Sequence, residues 1–289
     1  MDYQKCNLRL FTGFAAAILI LSGCAAQMQK PVRACPGKES IAESLSSLRT
    51  RLENIVPLRA DGQCLLQYYA EDKKPKRENF PVKLWINPPV EIYMQGDVAF
   101  DPKGIVLGSN KDGFWLTVKL KEISSYWWGQ WSERNYPEKL MISPRLMLEA
   151  LGVVAAEDGE SWSLSNEGGF DVLTKQEGST ETKKIYIYNC DYMVRKIEYF
   201  YLNGQVAAVA ELDKYKEISK NFFVPSIVKI VNPMAIGAGD CVSITIKLES
   251  IKPTDFTEKQ RNLIFTRLKP QGFRHIYKIV DGKIIEQPQ

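Results

Sequence analysis

The chain has little of what catalysis by histidine or by a bound metal requires. Among its 289 residues there is one histidine, His275, which we interpret as a packed or surface side chain. The sequence contains no G-x-S-x-G elbow, no HExxH motif and no glycine-rich phosphate loop. We interpret two carboxylate pairs, Glu157 with Asp158 and Glu198 with Glu211, as solvated, a hydrolase built from two acids being the alternative. We therefore expect a protein that is not an enzyme and has no cofactor and no metal site.

The chain also lacks a strong charge of either sign. Its 38 lysines and arginines face 34 aspartates and glutamates, for a formal net charge of +4. The densest basic run, Lys73 to Arg77, has Glu71, Asp72 and Glu78 beside it, which is typical of a solvated hairpin tip. Contact with anionic lipid head groups is the alternative for this run. We expect no nucleic-acid partner.

No apolar segment is long enough to cross a bilayer as a helix. The longest one, residues 10 to 21, falls short of the roughly 20 residues that a membrane-spanning helix needs. Lys5 and Arg9 precede this segment, and small residues follow it. This order predicts an export signal peptide over residues 1 to 23.

The end of that signal, Leu21-Ser22-Gly23-Cys24, is similar to the lipobox of bacterial lipoproteins. The resemblance implies transfer of diacylglycerol to the Cys24 thiol, cleavage after Gly23 and acylation of the new amino terminus by a fatty acid such as palmitate. Several acyl chains together form a stable anchor. We predict a lipid-anchored protein, the alternative being an ordinary cleaved signal in which Cys24 is incidental.

The residues behind the anchor divide into a tether and a domain. Residues 24 to 37 are polar, contain two prolines and lack periodicity, which is typical of a tether. Residues 38 to 289 are numerous enough to form a single domain with its own core.

Four further cysteines suit an oxidising compartment and permit two disulfides in three connectivities, although burial as free thiols is an equal alternative. A bridge from Cys190 to Cys241 is disfavoured, because a meander would place them at opposite ends of the sheet. No spacing among the cysteines suggests a metal site. The four are Cys35, Cys64, Cys190 and Cys241.

Two helices are predicted. Ser40 and Glu43 fit a capping box, after which apolar residues recur at helical spacing until Pro57. Ser143 and Pro144 fit the start of a second, short helix. Gly152 is placed to end that helix. The apolar residues of the first helix are Ile41, Leu45, Leu48, Leu52 and Ile55.

Most of the remaining chain alternates between apolar and polar residues, as strands with one buried face do. The Asn203-Gly204 pair is the strongest hairpin signal, and Asp112-Gly113 marks another turn. Consecutive strands without intervening helices favour a curved antiparallel sheet or open barrel. The predicted class is therefore mainly β (α+β), with the two helices available to cover one side of the sheet.

The order and residue patterns of these segments resemble those of a known family, the LolA/LolB-like lipoprotein carriers and the related outer-membrane lipoprotein-sorting-like proteins. The resemblance covers residues 38 to 275. It rests on a Pro-Pro pause at Asn87-Pro88-Pro89, "SNKDGFWL" from Ser109, "SYWWGQW" from Ser125, "YMVRKIEYFYLNG" from Tyr192, and Phe223-Val224-Pro225. It implies a half-open β-barrel, lidded by helices, whose cavity holds the acyl chains of another lipoprotein.

Alternation indicates which side chains share one face of the sheet, and the resemblance implies that one face lines the cavity. In the aromatic segment, Trp127 and Trp131 fall on the face opposite Tyr126 and Trp128. These aromatics either form a ligand platform or, as we favour, fill and cover the barrel. The predicted ligand-lining residues are Leu84, Ile86, Ile92, Met94, Phe114, Leu116, Val118 and Trp127.

The resemblance implies a membrane-anchored lipoprotein that binds acyl chains or another lipoprotein, in LolB-like sorting or other envelope lipid handling. Ala25 implies the periplasm-facing outer membrane, because the inner-membrane retention signal is typically an aspartate at that position. The alternative is a structural or assembly lipoprotein that binds an envelope protein complex or polymer. A carrier should have an open apolar cavity, and a scaffold should have a filled one with an exposed patch elsewhere.

Overall fold

The structure is a computed structural model, and it describes residues 35–70, 72–98, 101–120, 123–131, 143–154, 161–233, 241–281 and 283–288. Cys24 and the signal and lipobox segments lie outside the described residues. Within the described ranges the chain forms three helices and one sheet of 15 strands. None of those three helices has the length and apolar character that crossing a membrane requires.

The sheet is open and curved, and nearly all neighbouring strands run antiparallel, as predicted. From edge to edge the order is β15-β14-β6-β5-β4-β3-β2-β1-β13-β12-β11-β10-β9-β8-β7. The bounds are β1 Leu58–Tyr69, β2 Pro75–Asn87, β3 Glu91–Val98, β4 Asp101–Ser109, β5 Gly113–Lys119, β6 Ser124–Gln130, β7 Ser161–Glu167, β8 Phe170–Glu177, β9 Thr180–Tyr188, β10 Val194–Phe200, β11 Val206–Ser219, β12 Phe222–Val231, β13 Cys241–Pro253, β14 His275–Val280 and β15 Lys283–Gln287.

Two features of the sheet were not predicted. β1 pairs with β13, so the first strand sits in the middle and joins the two halves of the chain. The last two strands fold back beside β6, and β14 runs parallel to it. A third helix, α3 (Glu258–Ile264), lies in the connection that makes this parallel return possible.

The two predicted helices form with the predicted serine N-caps, but the first ends at Thr50 and not near Pro57, so Leu52 and Ile55 lie beyond it. The Glu43 carboxylate accepts from the Glu39 amide, so the predicted capping box forms only on its Ser40 side. α1 spans Ile41–Thr50, and the Ser40 hydroxyl accepts a hydrogen bond from the Glu43 amide at 3.2 Å. α2 spans Pro144–Ala150, and the Ser143 hydroxyl accepts from the Leu146 amide at 3.1 Å. Each cap satisfies a backbone donor that the first turn leaves without a helical partner.

Each face of the sheet has its own apolar cluster. The larger cluster, which we call the inner core, lies on the face covered by α1 and α2. The smaller one, the outer cluster, lies on the opposite face against α3 and the residues that follow it. The buried members of the outer cluster are Tyr93, Val106, Trp115, Tyr126, Phe265 and Phe273.

The segment before α1 is fixed to the sheet. Cys35 forms a disulfide with Cys190, in the turn between β9 and β10. The Lys38 amide donates to the buried Asp171 carboxylate at 2.9 Å, and the Tyr192 hydroxyl donates to the same carboxylate. A Cβ on Gly37 would lie 2.2 Å from Asp171 Oδ1, so only glycine fits this approach. The described domain thus begins at Cys35, inside the predicted tether of residues 24 to 37.

Candidate functional site

The eight predicted ligand-lining residues share the inner face, as alternation indicated. Six of them, on β2, β3 and β5, are buried, and Val118 and Trp127 are partly buried against the same cluster. The inner core that they join also contains Met147, Leu148 and Leu151, from α2 and its end. Side chains therefore fill this half of the inner face. The six buried residues are Leu84, Ile86, Ile92, Met94, Phe114 and Leu116.

A cavity of about 100 Å³ lies instead on the other half of the inner face, between the two helices and strands β7 and β9 to β12. None of the eight predicted residues lines it. Sequence alternation identified side chains on the same face as the cavity but could not show which part of that face the short helix α2 would fill. The lining residues are Leu48, Arg51, Leu52, Arg145, Glu149, Gly152, Val154, Trp162, Lys183, Ile185, Tyr192, Val194, Ile197, Leu212, Tyr215, Phe222 and Phe223.

The floor of the cavity is apolar, and its roof is formed by α1 and the turn that follows it. Ile185, Ile197 and Leu212 come from three adjacent strands and form the floor. Leu48 and Leu52, from α1 and the turn that follows it, are only half-buried. Because α1 buries only Ser44 and Leu45 whereas α2 buries five residues, moving α1 would break fewer apolar contacts than moving α2.

One end of the cavity carries a buried ion-pair group. The Glu149 carboxylate lies 2.8 Å from Lys183 Nζ and 3.2 Å from Arg145 Nε, and it accepts from the Tyr199 hydroxyl at 2.9 Å. Burial alone would raise the pKa of Glu149, but these partners outweigh it and hold that pKa below its ordinary value. Glu149 is therefore ionised at neutral pH.

The other end of the cavity carries Arg51, the residue that caps the carboxyl end of α1. Its guanidinium donates to the Met193 sulfur and to the backbone carbonyl of Asp191, and it lies 5.9 Å from the centre of the Phe223 ring. The Asp191 carboxylate itself pairs with Arg195. No carboxylate oxygen of the described residues lies within 4.0 Å of the Arg51 guanidinium. Burial lowers the pKa of Arg51.

Sequence reasoning missed these charged residues. In α2, Glu149 follows Arg145 by four residues in an otherwise apolar segment, a spacing that places an ion pair on one helix face. This spacing is the local signal from which the ion pair of Arg145 and Glu149 could have been predicted. Nothing local marks Arg51 or Lys183, because what brings them to the cavity is the pairing of distant strands.

Two of the four predicted cysteines form a disulfide, and a third is a free thiol. Cys35 and Cys190 are bonded to each other. Cys64 is a free thiol, fully buried in the middle of β1, and this burial raises its pKa to about 12. Cys241 is the first residue of β13. Since Cys64 is free, no second disulfide involves it.

Other candidate groups are dispersed. Glu198 accepts from the Tyr186 hydroxyl and pairs with Lys196, whereas Glu211 pairs with Lys229. His275 is exposed and lies 2.8 Å from Glu286. Glu157 and Asp158 lie outside the described residues. Within the described ranges, no group of three or more histidines, cysteines or acids is placed to hold a metal ion.

The aromatic segment divides between the two faces as predicted. Trp127 and Trp131 pack against the inner core, and Trp127 stacks on Tyr277 with ring centres 4.2 Å apart. Tyr126 and Trp128 face the outer cluster. The Tyr126 hydroxyl donates to the backbone carbonyl of Leu268, in the segment that follows α3 and packs on the outer cluster. These aromatics therefore pack the domain, and none of them lines the cavity.

Comparison with known proteins identifies the fold. No family profile matches the sequence, and no curated protein is significantly similar to it. A solved structure described as an outer membrane lipoprotein-sorting protein domain from Vibrio parahaemolyticus is 12% identical, with a TM-score of 0.52, over 78% of this chain and 97% of that one. The predicted resemblance is thus confirmed at the level of the fold.

Two other solved structures align over the same shares, 78% of this chain and 97% of theirs. A LolA superfamily protein from Nitrosomonas europaea is 11% identical with a TM-score of 0.48. A DUF1329 family protein from Desulfovibrio piger is 8% identical with a TM-score of 0.49.

Proposed function

We propose that this chain, which shares the fold of a lipoprotein-sorting domain, is a non-catalytic envelope lipoprotein that binds an acyl chain of a lipid or of another lipoprotein. In this proposal Cys24 carries the lipid anchor in the periplasm-facing outer membrane. The observation that carries the proposal is the apolar cavity between the sheet and its two covering helices. The fold likeness supports it, because the neighbour is described as a lipoprotein-sorting domain.

Binding of an acyl chain at such a site requires only the burial of apolar surface and no reactive group. Each methylene group that leaves water for an apolar cavity contributes about 0.8 kcal/mol. A floor of isoleucine and leucine side chains therefore suffices to hold an acyl chain. Lipid handling of this kind would explain why the cavity has apolar walls and why charges stand only at its ends.

The cavity must enlarge to hold a whole chain. Its volume of about 100 Å³ is below the roughly 300 Å³ at which ligand pockets begin. Of the two covering helices, α1 buries fewer side chains, so its displacement would enlarge the cavity with less loss of packing. We therefore propose that α1 moves away from the floor when a ligand enters and returns when the ligand leaves.

Native mass spectrometry tests this function. The full chain would carry Cys24→Ser, so that no acyl group of its own competes, and would be purified gently from a bacterial envelope extract. We expect a co-purified acyl species, or uptake of an added lipopeptide. A clean unliganded mass with no uptake would contradict the proposal.

A matched pair of variants locates the site. Leu52→Glu places a carboxylate at the cavity wall on a half-buried side chain, and it should abolish lipid uptake. Leu263→Glu makes the same change on α3, where the side chain is 81% exposed, and it should leave uptake intact. Thermal unfolding of both variants shows whether the fold is retained.

A second function is favoured by one observation, the filling of the other half of the inner face by α2. A filled face is what we expect of a scaffold that binds an envelope protein complex or polymer through its exterior. In the same experiment, a scaffold would take up no lipid and would instead co-purify with an envelope component.

A further inference from the structure

The two ends of the cavity differ in how their charges are matched. At one end, the Glu149 carboxylate faces the cations of Lys183 and Arg145 at 2.8 and 3.2 Å. At the other end, the Arg51 guanidinium bonds only to a sulfur and to a backbone carbonyl among the described residues. The Asp191 carboxylate acts on Arg51 electrostatically, but its direct ion pair is with Arg195. A partly buried guanidinium without a directly bonded anion is the more unusual arrangement, because burial of an unpaired charge is unfavourable.

The geometry between the two ends suits an amphiphile. Along β10, Val194 lies at the Arg51 end, because its carbonyl accepts from the Tyr215 hydroxyl and Tyr215 interacts electrostatically with Arg51. Tyr199 lies at the Glu149 end, because its hydroxyl donates to the Glu149 carboxylate. Five residue steps of an extended strand separate them, or about 16 Å. Of the four residues between them, only Ile197 lines the cavity, where it lies beside Ile185 and Leu212 of the neighbouring strands. The other three, Arg195, Lys196 and Glu198, form ion pairs and do not line it. A ligand with one charged group and one apolar chain therefore matches a charged end followed by an apolar floor.

The sign of the charged group follows from the donor. Arginine presents five N–H donors in a planar fork that suits carboxylate and phosphate oxygens. Two of the contacts observed here are with weak or neutral acceptors, so the guanidinium retains donors for an anion. A cationic head group would be repelled at this end.

We propose that the cavity takes a single-chain anionic amphiphile whose carboxylate or phosphate head group pairs with Arg51 while its chain lies on the apolar floor. This inference rests on the proposed function and names its ligand class. Because Arg51 caps the helix that covers the cavity, a bound head group would also hold α1 in its closed position.

Binding of four amphiphiles of equal chain length tests the inference. The full chain carrying Cys24→Ser would be titrated with dodecanoate, dodecyl phosphate, dodecanol and dodecyltrimethylammonium. We expect the two anions to bind about tenfold tighter than the alcohol, a difference of about 1.4 kcal/mol. The cation should bind more weakly than the alcohol. Comparison of the two anions distinguishes a carboxylate ligand from a phosphate ligand.

Three variants assign the preference to Arg51. Arg51→Gln should lose the tenfold preference, so that it binds dodecanoate and dodecyl phosphate no tighter than dodecanol. Arg51→Lys should keep part of the preference, because the positive charge remains. Arg59→Gln removes an exposed arginine of β1 that does not line the cavity, so it should behave as the parent chain.

The outcomes separate the inference from the function on which it rests. Equal binding of anions and alcohol would overturn the anionic ligand while leaving acyl-chain binding supported. Loss of all binding in Arg51→Gln, with an unchanged thermal unfolding curve, would overturn the role of Arg51 as a head-group partner. Failure of every amphiphile to bind the parent chain would overturn the proposed function itself.

Discussion

At the scale of single residues, burial decides what a group can do. Cys64 lies in the middle of the sheet, where loss of solvent raises its pKa to about 12. The thiolate is the reactive form of cysteine, so we expect Cys64 to be inert in the folded protein at pH 8. Native thiol labelling should give the same count for the parent chain and for Cys64→Ala. Labelling in denaturant should differ by one.

At Glu149, the cost of burying a carboxylate is offset by ion pairs with Lys183 and Arg145. Replacement by Gln leaves Lys183 without its anion beside an apolar cavity, and we expect a loss of about 3 kcal/mol in the free energy of unfolding. Lys183→Met in the same background should recover part of that loss. Urea unfolding of the single and double variants measures both terms.

The lowered pKa of Glu149 also predicts that the free energy of unfolding depends on pH. Its pKa is lower in the folded state than its ordinary value of 4.5, so its contribution to stability is present above pH 4.5. That contribution is lost as the pH falls through the lower, folded-state value. Between pH 6 and acidic pH, the stability of the parent chain should therefore fall more steeply than that of Glu149→Gln. Parallel slopes would show that Glu149 is not coupled to its partners.

At the scale of secondary structure elements, local signals predicted what short-range chemistry determines. The Ser40 and Ser143 caps formed because each serine needs only the amide three residues later. The Asn203-Gly204 turn formed between β10 and β11, with Gly204 at a φ of +80°. In contrast, the pairing of β1 with β13 and the parallel return of β14 depend on contacts between distant residues. The cavity residues Arg51 and Lys183 could not be predicted for the same reason.

The disulfide is the covalent connection between the covering helix and the sheet. It closes a loop of 155 residues and joins the segment before α1 to the turn between β9 and β10. Changing both Cys35 and Cys190 to serine should cost about 2 to 5 kcal/mol of unfolding free energy. A reducing agent should lower the stability of the parent chain and leave the double variant unchanged, as urea unfolding would show.

The same double variant tests the movement proposed for α1. Without the disulfide, amide hydrogens of α1 should exchange at least tenfold faster, while those of β1 and β13 should change only with the global stability. Gly37→Ala, which disturbs the contact with Asp171 but keeps the disulfide, should give a smaller effect of the same kind. Equal acceleration in α1 and in the central strands would contradict a locally mobile helix.

At the scale of the whole molecule, the proposed function requires that the domain stay at a membrane. In that proposal the attachment is the lipid on Cys24, which lies outside the described residues. Several acyl chains on one cysteine would give a stable anchor, whereas the predicted signal segment would be removed on processing. Cys24→Ser should therefore move the protein from the membrane fraction to the soluble fraction of an expressing bacterium. The mass of the purified parent chain should exceed that of its polypeptide by the acyl groups.

Cys64→Ala is the matched control for this experiment, because it removes a cysteine that the fold buries and that no lipid can reach. It should remain in the membrane fraction and keep the added mass. If Cys24→Ser also remains there and its mass shows that residues 1 to 23 have been removed, the domain itself binds the membrane or a membrane partner. Such binding would favour the scaffold over the carrier, because a carrier needs its lipid-binding face free to receive a ligand.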